Sequence, residues 1–224
     1  MPRIVPVNGK LQAELFEPAG VAANGNALVI AYGSEGMTTH LSGPWGTMIR
    51  EFADELAAQG FSVLIPDYLA VTGTPPAPDV WFQIGAHGSA WQRSIEDAAT
   101  YARTLPGLAG AKVGLLGFSL GGHLCLRLRA TTPVLVAFYA PAAGLQPHGG
   151  QLDLNVQLHQ GDQDLLVIPA EAQVIEAMLV GEQARVELHR YPGANHGFAG
   201  NNPANATARR DSQQRTVAFF NQHL

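Results

Sequence analysis

Apolar residues in this chain form short unbroken runs that alternate with longer stretches where they recur at helical spacing. The short runs have the length of strands, and their continuous apolar character is typical of a sheet covered on both faces. Such strands are predicted at residues 27–32, 61–65, 112–118 and 134–139, and further strands at 155–159 and 185–191. Two further runs, 4–7 and 11–16, flank an Asn-Gly pair at positions 8 and 9, which predicts an initial hairpin.

Helices are predicted between these strands. Residues 47–59 place apolar side chains along one helix face, and Gly60 follows as a stop signal. Similar patterns predict helices at 91–105, 121–129, 169–179 and 206–223. The alternation predicts a mostly parallel central sheet with helices on both faces, in a single α/β domain over residues 1–224. Residues 67–89, with many prolines and glycines, are predicted to form one long functional loop.

The composition excludes several classes of protein. Hydrophobic residues make up 46% of the chain and charged residues 14%, which excludes a disordered protein. The net charge of −5, without a basic block, provides no electrostatic footprint for nucleic acid. No apolar stretch has the length of a membrane span, and the first residues lack an apolar signal segment, so no membrane association is expected. Because the single cysteine, Cys125, cannot form an internal disulfide, the chain is predicted to be cytoplasmic.

A candidate nucleophile lies at the end of one predicted strand. The segment GFSLG, residues 117–121 with Ser119 at its centre, matches the pattern G-x-S-x-G, in which a sharp strand-to-helix turn exposes the serine oxygen. Glycines on either side of the serine avoid Cβ clashes in that bend. With 25 glycines in the chain the pattern alone is weak, but here an apolar strand precedes it and a helical run follows. The alternative is a tight turn in which the serine only caps the helix.

A nucleophilic serine needs a general base, which in turn needs an acid to orient it. On a sheet of this kind the three follow in the order serine, acid, histidine, each just after a strand. His196 follows the last predicted strand and is the candidate base. Asp164 and Asp162 both follow strand 155–159, and Asp164 is favoured because Asp162 is close enough to the strand end to serve only the turn.

The other histidines are weaker candidates. His40 and His87 lie in predicted loops and are candidate pocket residues. His123 and His159 lie in a predicted helix and strand and are expected to pack in the core. Surface positions are expected for His148, His189 and His223.

Acyl transfer also needs N–H donors for the oxyanion, normally the amide after the nucleophile and one from the loop after an early strand. Leu120 supplies the first of these amides. The second is predicted at Ser34, in the loop that follows strand 27–32. The alternative for that loop is an ordinary glycine turn.

Five segments of the chain resemble the dienelactone hydrolase family of the α/β-hydrolase superfamily, in the family's order and at similar spacings. They are LVIAYGSEGM, FSVLIPDY, GFSLGG, HQGDQDLLVIP and YPGANHGF. The resemblance implies a single-domain α/β-hydrolase fold. It also implies that Asp164 lies in the acid loop, that His196 lies in the histidine loop, and that Tyr139 lines the pocket.

The chain differs from the family's founding enzymes at three positions. Ser119 stands where those enzymes carry a cysteine. Gly33 stands where they carry a glutamate, with Glu35 two residues further on. Gly200 stands where they have an arginine that helps to hold a substrate carboxylate. These differences disfavour dienelactone itself as the substrate.

Together these features predict a serine hydrolase that cleaves small carboxylic esters or lactones through an acyl-enzyme, with no metal and no organic cofactor. The core elements use nearly the whole chain, so no cap domain is expected and only loop 67–89, with Trp81 and Phe82, can cover the site. Candidate substrate-contacting residues are Glu35, Trp81, Tyr139 and Phe198. The expected partner is a small-molecule ester or lactone.

Two other functions stay open on sequence grounds. A peptidase or other amide hydrolase would use the same fold and residues, and faster turnover of aminoacyl amides than of esters would favour it. A non-catalytic binding or signalling protein on a hydrolase scaffold is the other alternative, because fold alone does not determine function. Such a protein is free to lose a catalytic residue, whereas all three candidates are present here in order.

Overall fold

A central sheet carries the fold of the structure, a computed structural model that describes residues 2–39 and 43–224. Within these residues the sheet has eight strands. They are β1 (Arg3–Asn8), β2 (Leu11–Phe16), β3 (Ala27–Ala31), β4 (Ser62–Pro66), β5 (Val113–Phe118), β6 (Val134–Phe138), β7 (Asn155–Gly161) and β8 (Arg185–Tyr191). Their order across the sheet is β1-β2-β4-β3-β5-β6-β7-β8.

Most of this sheet is parallel, as the sequence predicts. The hairpin β1–β2 forms an antiparallel edge and β2 pairs antiparallel with β4. Every pair from β4 across to β8 is parallel. Because parallel strands end at the same edge of a sheet, the loops that follow β3, β5, β6, β7 and β8 lie together at that edge.

Helices cover both faces of the sheet. They are α1 (Trp45–Ala58), α2 (Ile84–Ala102), α3 (Leu120–Arg127), α4 (Pro169–Gly181) and α5 (Pro203–His223). Helices α2 and α3 pack against each other and the central strands, and α1 packs against α5. No helix within residues 2–39 and 43–224 is long and apolar enough to cross a membrane.

The predicted loop 67–89 is wrong in its second half, where α2 already begins at Ile84 instead of at position 91. The remaining connection contains two short 3₁₀ turns, Ala70–Thr72 and Val80–Gln83. The first five residues of α2 include two glycines, Gly85 and Gly88, and their low helix propensity gives no sequence signal for a helix there. Packing overrides that propensity, because Gly88 is buried where a Cβ would meet a side chain of α3, Arg127.

The other predicted elements lie where expected, with small shifts at their ends. Helix α5 begins at Pro203, before the predicted start at 206. Its earlier start has a clear local cause: the Asn202 side chain accepts a hydrogen bond of 3.0 Å from the Ala204 amide, and proline suits the first helical position.

The core between α1 and strands β5 and β6 is aromatic. Phe52 of α1 packs edge-on against Phe118 of β5 and Phe138 of β6, with ring centroids 5.2 and 5.4 Å apart. Arg129 and Glu182 form a buried ion pair. The Arg129 guanidinium also donates to the Gln146 carbonyl, and the Glu182 carboxylate also accepts from the His148 amide. These contacts hold the long loop after β6 against the body of the protein.

Candidate active site

Ser119 lies in a strained turn between β5 and α3. Its backbone has φ 51° and ψ −116°, a conformation that residues other than glycine rarely adopt. The Ser119 amide donates a hydrogen bond of 2.9 Å to the Phe138 carbonyl, which ties the turn to the neighbouring strand. Leu120 is the first residue of α3, so its amide has no acceptor within the helix.

The glycines on either side of Ser119 are required by close backbone contacts. A Cβ on Gly117 would lie 2.5 Å from the Gly121 carbonyl oxygen. A Cβ on Gly121 would overlap the carbonyl oxygens of Ala31 and Tyr32. The G-x-S-x-G pattern therefore has the steric cause that the sequence analysis expects.

His196 lies in a short 3₁₀ turn, His196–Phe198, after β8 and faces Ser119. Its Nε2 is 3.2 Å from the Ser119 Oγ, and its Nδ1 is 2.8 Å from the Asp164 Oδ2. A carboxylate only accepts hydrogen bonds, so Nδ1 carries the proton and Nε2 accepts a hydrogen bond from the Ser119 hydroxyl. Gly197 has φ 71° and lies against the Trp45 ring, leaving no room for a side chain.

Asp164 is fully buried and its carboxylate is saturated with hydrogen bonds. The amides of Leu166 and Val167 donate to Oδ1 at 2.9 Å, and the Gln160 side chain donates to Oδ2 at 3.2 Å. Asp162 instead pairs with Arg190 at 2.7 Å on the outside of the sheet. The structure thus brings Asp164, and not Asp162, to His196.

A cavity of about 350 Å³ opens above Ser119 and His196. Of the predicted substrate-contacting residues, Glu35, Trp81 and Tyr139 line it. Ser34, the predicted second oxyanion donor, lines it as well.

Phe198 is not a cavity residue, and the prediction that it contacts substrate is wrong. Its side chain is only 2% exposed and packs edge-on against Tyr139, with ring centroids 5.3 Å apart. The hydrophobic effect favours burial of this apolar ring, which packs in the core against Tyr139. His87 contacts Trp91 on α2 and does not line the cavity, and His40 lies outside the described residues.

Tyr139 is the aromatic side chain that faces His196. The two ring centroids are 4.8 Å apart, and the Tyr139 amide donates to the His159 carbonyl at 2.7 Å. Burial raises the pKa of the Tyr139 phenol, so the group remains a hydrogen-bond donor at neutral pH. Within the described part of the chain its hydroxyl makes no hydrogen bond, although the residue lines the cavity.

Comparison with known proteins identifies the family. The model of the dienelactone hydrolase family matches residues 12–224. The chain belongs to the dienelactone hydrolase family. A curated carboxymethylenebutenolidase of Rhodococcus opacus is 31% identical over 194 residues, which are 78% of this chain and 75% of that protein. A Synechocystis protein that carries the same name provisionally is 31% identical over 144 residues, and the match spans 58% of each chain.

The fold of this dienelactone hydrolase family member also matches a solved structure. A lidless α/β serine hydrolase from Xanthomonas campestris superposes with a TM-score of 0.70 at 20% identity, covering 99% of this chain and 94% of that one. The predicted α/β-hydrolase fold is confirmed, and residues 2–39 and 43–224 form no inserted cap domain. Family and fold together make the chain an α/β hydrolase of the esterase type.

Several cavity residues of this family member were not predicted from the sequence, among them Trp45, Leu166 and Glu171. Trp45, at the start of α1, donates from its indole to the Glu35 carboxylate. Leu166 lies in the loop that contains Asp164 and is 78% exposed, although it also lines the cavity. Glu171, in the first turn of α4, accepts a hydrogen bond of 2.8 Å from the Ala142 amide. Leu166 could have been inferred from its place two residues after Asp164, whereas Trp45 and Glu171 are held by partners 10 and 29 residues away, which no local pattern shows.

His123 packs beside the cavity, as expected for a histidine of the turn helix. Its Nδ1 is 2.9 Å from the Pro141 carbonyl, and its ring lies edge-on to Trp81 with centroids 5.0 Å apart. Burial is the main cause that lowers the pKa of His123 to about 4. Among residues 2–39 and 43–224, no group of three or more histidine, cysteine or acidic side chains is arranged to hold a metal ion.

Proposed function

We propose that this member of the dienelactone hydrolase family is a serine hydrolase that cleaves small carboxylic esters or lactones through an acyl-enzyme. The observation that carries the proposal is the hydrogen-bonded chain from Ser119 through His196 to Asp164. The two hydrogen bonds measure 3.2 and 2.8 Å, and Ser119 and His196 line a cavity of about 350 Å³. A chain of this order is the arrangement that activates a serine hydroxyl at neutral pH.

The first half of the reaction forms the acyl-enzyme. The Ser119 oxygen attacks the carbonyl carbon while His196 Nε2 takes the hydroxyl proton, giving a tetrahedral intermediate. Asp164 stabilises the resulting imidazolium and keeps its orientation. The protonated His196 then gives the proton to the leaving alkoxide oxygen as the C–O bond breaks. In a lactone the alcohol stays attached to the acyl group.

The second half releases the acid. Water attacks the acyl carbon of the ester on Ser119 and loses a proton to His196 Nε2. The new intermediate collapses, the bond to the Ser119 oxygen breaks, and His196 returns the proton to that oxygen. The three residues are then back in their starting protonation states, and no oxidation state has changed.

The oxyanion of both intermediates is bound by backbone amides. Leu120 lies at the start of α3 with an amide that has no helical acceptor, and Ser34 lines the cavity after β3. Ser34 follows β3 and Leu120 follows β5, and these two strands are neighbours in the sheet. Their loops therefore flank the Ser119 oxygen from adjacent positions. Loss of one such donor typically lowers kcat by about 10²–10³-fold.

The substrate class follows from the size and access of the cavity. No inserted helical cap lies over it in the part of the chain that the structure describes, so a small ester can enter directly. The relatives are named for a lactone hydrolase activity, which supports including lactones. The position where the founding enzymes hold a substrate carboxylate is Gly200 in this chain, so dienelactone itself is disfavoured.

A fluorophosphonate probe tests the proposal directly. We expect the probe to label Ser119 in the wild type and to leave Ser119→Ala unlabelled, as shown by mass spectrometry of the modified peptide. The same preparation is then assayed with p-nitrophenyl acetate and with an aminoacyl p-nitroanilide. Faster amide than ester turnover would instead indicate an amide hydrolase, and an unlabelled wild type without turnover would indicate a non-catalytic binding protein.

A further inference from the structure

One end of the cavity is built from residues that no step of the reaction uses. Glu171 accepts a hydrogen bond of 2.8 Å from the Ala142 amide. The adjacent carbonyl, that of Pro141, is 2.9 Å from the His123 ring, which in turn contacts Trp81. These contacts connect the carboxylate of Glu171 and the indole of Trp81 through one short segment, and both side chains line the cavity.

This end lies on a defined side of Ser119. Strand β5, which leads to Ser119, is placed between β3 and β6. The oxyanion loop with Ser34 follows β3, whereas the segment with Pro141 and Ala142 follows β6. The Glu171 end is therefore separate from the oxyanion side, where Glu35 binds the Trp45 indole.

The charges around the cavity have one sign. Among its described lining residues two are carboxylates, Glu35 and Glu171, and none is lysine or arginine. His123 adds no positive charge at neutral pH, because burial lowers its pKa to about 4. Arg127, one turn further along α3, is exposed and does not line the cavity.

The neutral part of the lining suits a cation as well. The Trp81 indole and the exposed Phe82 ring both line the cavity, and the face of an aromatic ring attracts an ammonium group. Tyr139 lines the same cavity, and its hydroxyl makes no hydrogen bond within the described residues. A positive group thus meets a carboxylate and aromatic faces there, whereas a negative group meets no lysine or arginine among the described lining residues.

We propose that the end of the cavity formed by Glu171 and Trp81 binds an ammonium group of the substrate, so that the enzyme prefers cationic small esters and rejects anionic ones. This inference rests on the proposed ester hydrolysis. Attraction between an ammonium and a carboxylate in a partly desolvated cavity is several times stronger than in bulk water, and repulsion of an anion is equally strengthened.

The test is a set of three acetate esters of similar shape. The alcohol is choline for the cation, 3,3-dimethylbutanol for the neutral member and 2-hydroxyethanesulfonate for the anion, with acid release followed in a pH-stat. A second set carries the charge on the acyl side: the methyl esters of 3-(trimethylammonio)propanoate, 4,4-dimethylpentanoate and succinate. In at least one set we expect kcat/KM of the cation to exceed that of the neutral ester by about 10-fold, and the anion to fall below it by as much.

Glu171→Gln removes the charge and keeps an acceptor for the Ala142 amide. We expect it to reduce the ratio of cation to anion turnover by about 10-fold or more. Glu176→Gln, on the same helix but outside the cavity lining, should leave that ratio as in the wild type. A measurement that needs no variant is inhibition of the neutral ester's hydrolysis, where choline should have a lower inhibition constant than 3,3-dimethylbutanol.

The outcomes separate this inference from the proposed function. Hydrolysis of neutral and anionic esters as fast as cationic ones in both sets would overturn the inference and leave ester hydrolysis standing. An unchanged ratio in Glu171→Gln would also overturn it. Absence of all hydrolysis, together with no probe labelling of Ser119, would overturn the proposed function and the inference with it.

Discussion

The carboxylate of Asp164 accepts a hydrogen bond from His196 Nδ1 over 2.8 Å while its other oxygen is held by two backbone amides. These hydrogen bonds fix the Asp164 carboxylate in one orientation. Its neighbour Asp162, two residues earlier, is turned outward and paired with Arg190. The difference between these two aspartates leads to the first prediction.

Asp164→Asn is expected to lower kcat by about 10⁴-fold, because an amide nitrogen facing His196 would favour the wrong imidazole tautomer. Asp162→Asn is the matched control and should keep most of the wild-type activity. The measurement is kcat for p-nitrophenyl acetate, with thermal unfolding to verify that both variants fold. Equal losses in the two variants would contradict the assignment of the acid.

Gly121→Ala should destabilise the protein strongly, by about 3 kcal/mol, since the added Cβ overlaps two backbone carbonyl oxygens of β3 and its loop. Gly181→Ala provides the control, because nothing lies within 4 Å of a Cβ at that position. Urea unfolding monitored by tryptophan fluorescence compares the two. A Gly121→Ala midpoint close to that of Gly181→Ala would show that the turn relaxes more easily than the structure implies.

The Arg129–Glu182 pair predicts a contrast between buried and exposed ion pairs. Both of its links measure 2.6 Å and both side chains are 5% exposed, so Arg129→Met should cost about 3–5 kcal/mol by leaving a buried carboxylate unpaired. Arg185 pairs with Asp153 at the same 2.6 Å, but on the surface. Arg185→Met should cost less than about 1 kcal/mol. Similar unfolding free energies for the two variants would argue against a structural role of the buried pair.

The same pair predicts part of the dependence of stability on pH. Burial opposes ionisation of Glu182, but hydrogen bonds from Arg129 and the His148 amide, with the charge of Arg129, lower its pKa below the ordinary 4.5. The unfolded chain then binds more protons, so this stabilisation is complete above about pH 4.5 and is lost as pH falls through the folded-state pKa. Glu182→Gln should show a shallower loss of unfolding free energy in that acid range. An identical slope in wild type and variant would be inconsistent with this linkage.

Tyr139→Phe should lower kcat/KM for small esters by up to about 10-fold, the contribution of one neutral hydrogen bond to the bound substrate. The ring contact with His196 is kept in this variant, so the unfolding midpoint should change little. Tyr101→Phe, on α2 and outside the cavity lining, is the control. If kcat/KM of Tyr139→Phe equals that of the control, the Tyr139 hydroxyl does not contact substrate.

The sequence by itself determined the features that depend on neighbouring residues. The central strands, which are buried on both faces, must be apolar throughout, so their positions can be predicted from short windows of sequence. The same holds for the initial hairpin, whose turn lies at Gly9 and Lys10. The turn at Ser119 can be predicted for a similar reason, because its backbone leaves room only for glycine at positions 117 and 121. The order of serine, acid and histidine then pointed to three loops at one edge of a parallel sheet.

The tertiary structure alone decided which side chains reach the cavity. Asp164 and Asp162 are chemically identical and nearly adjacent, and only the partners of their loop, His196 for one and Arg190 for the other, distinguish them. Phe198 is buried although it was predicted to contact substrate, and Glu171 lines the cavity although no sequence pattern indicated it. Side-chain direction depends on packing between elements far apart in the chain, and that information is absent from any local pattern.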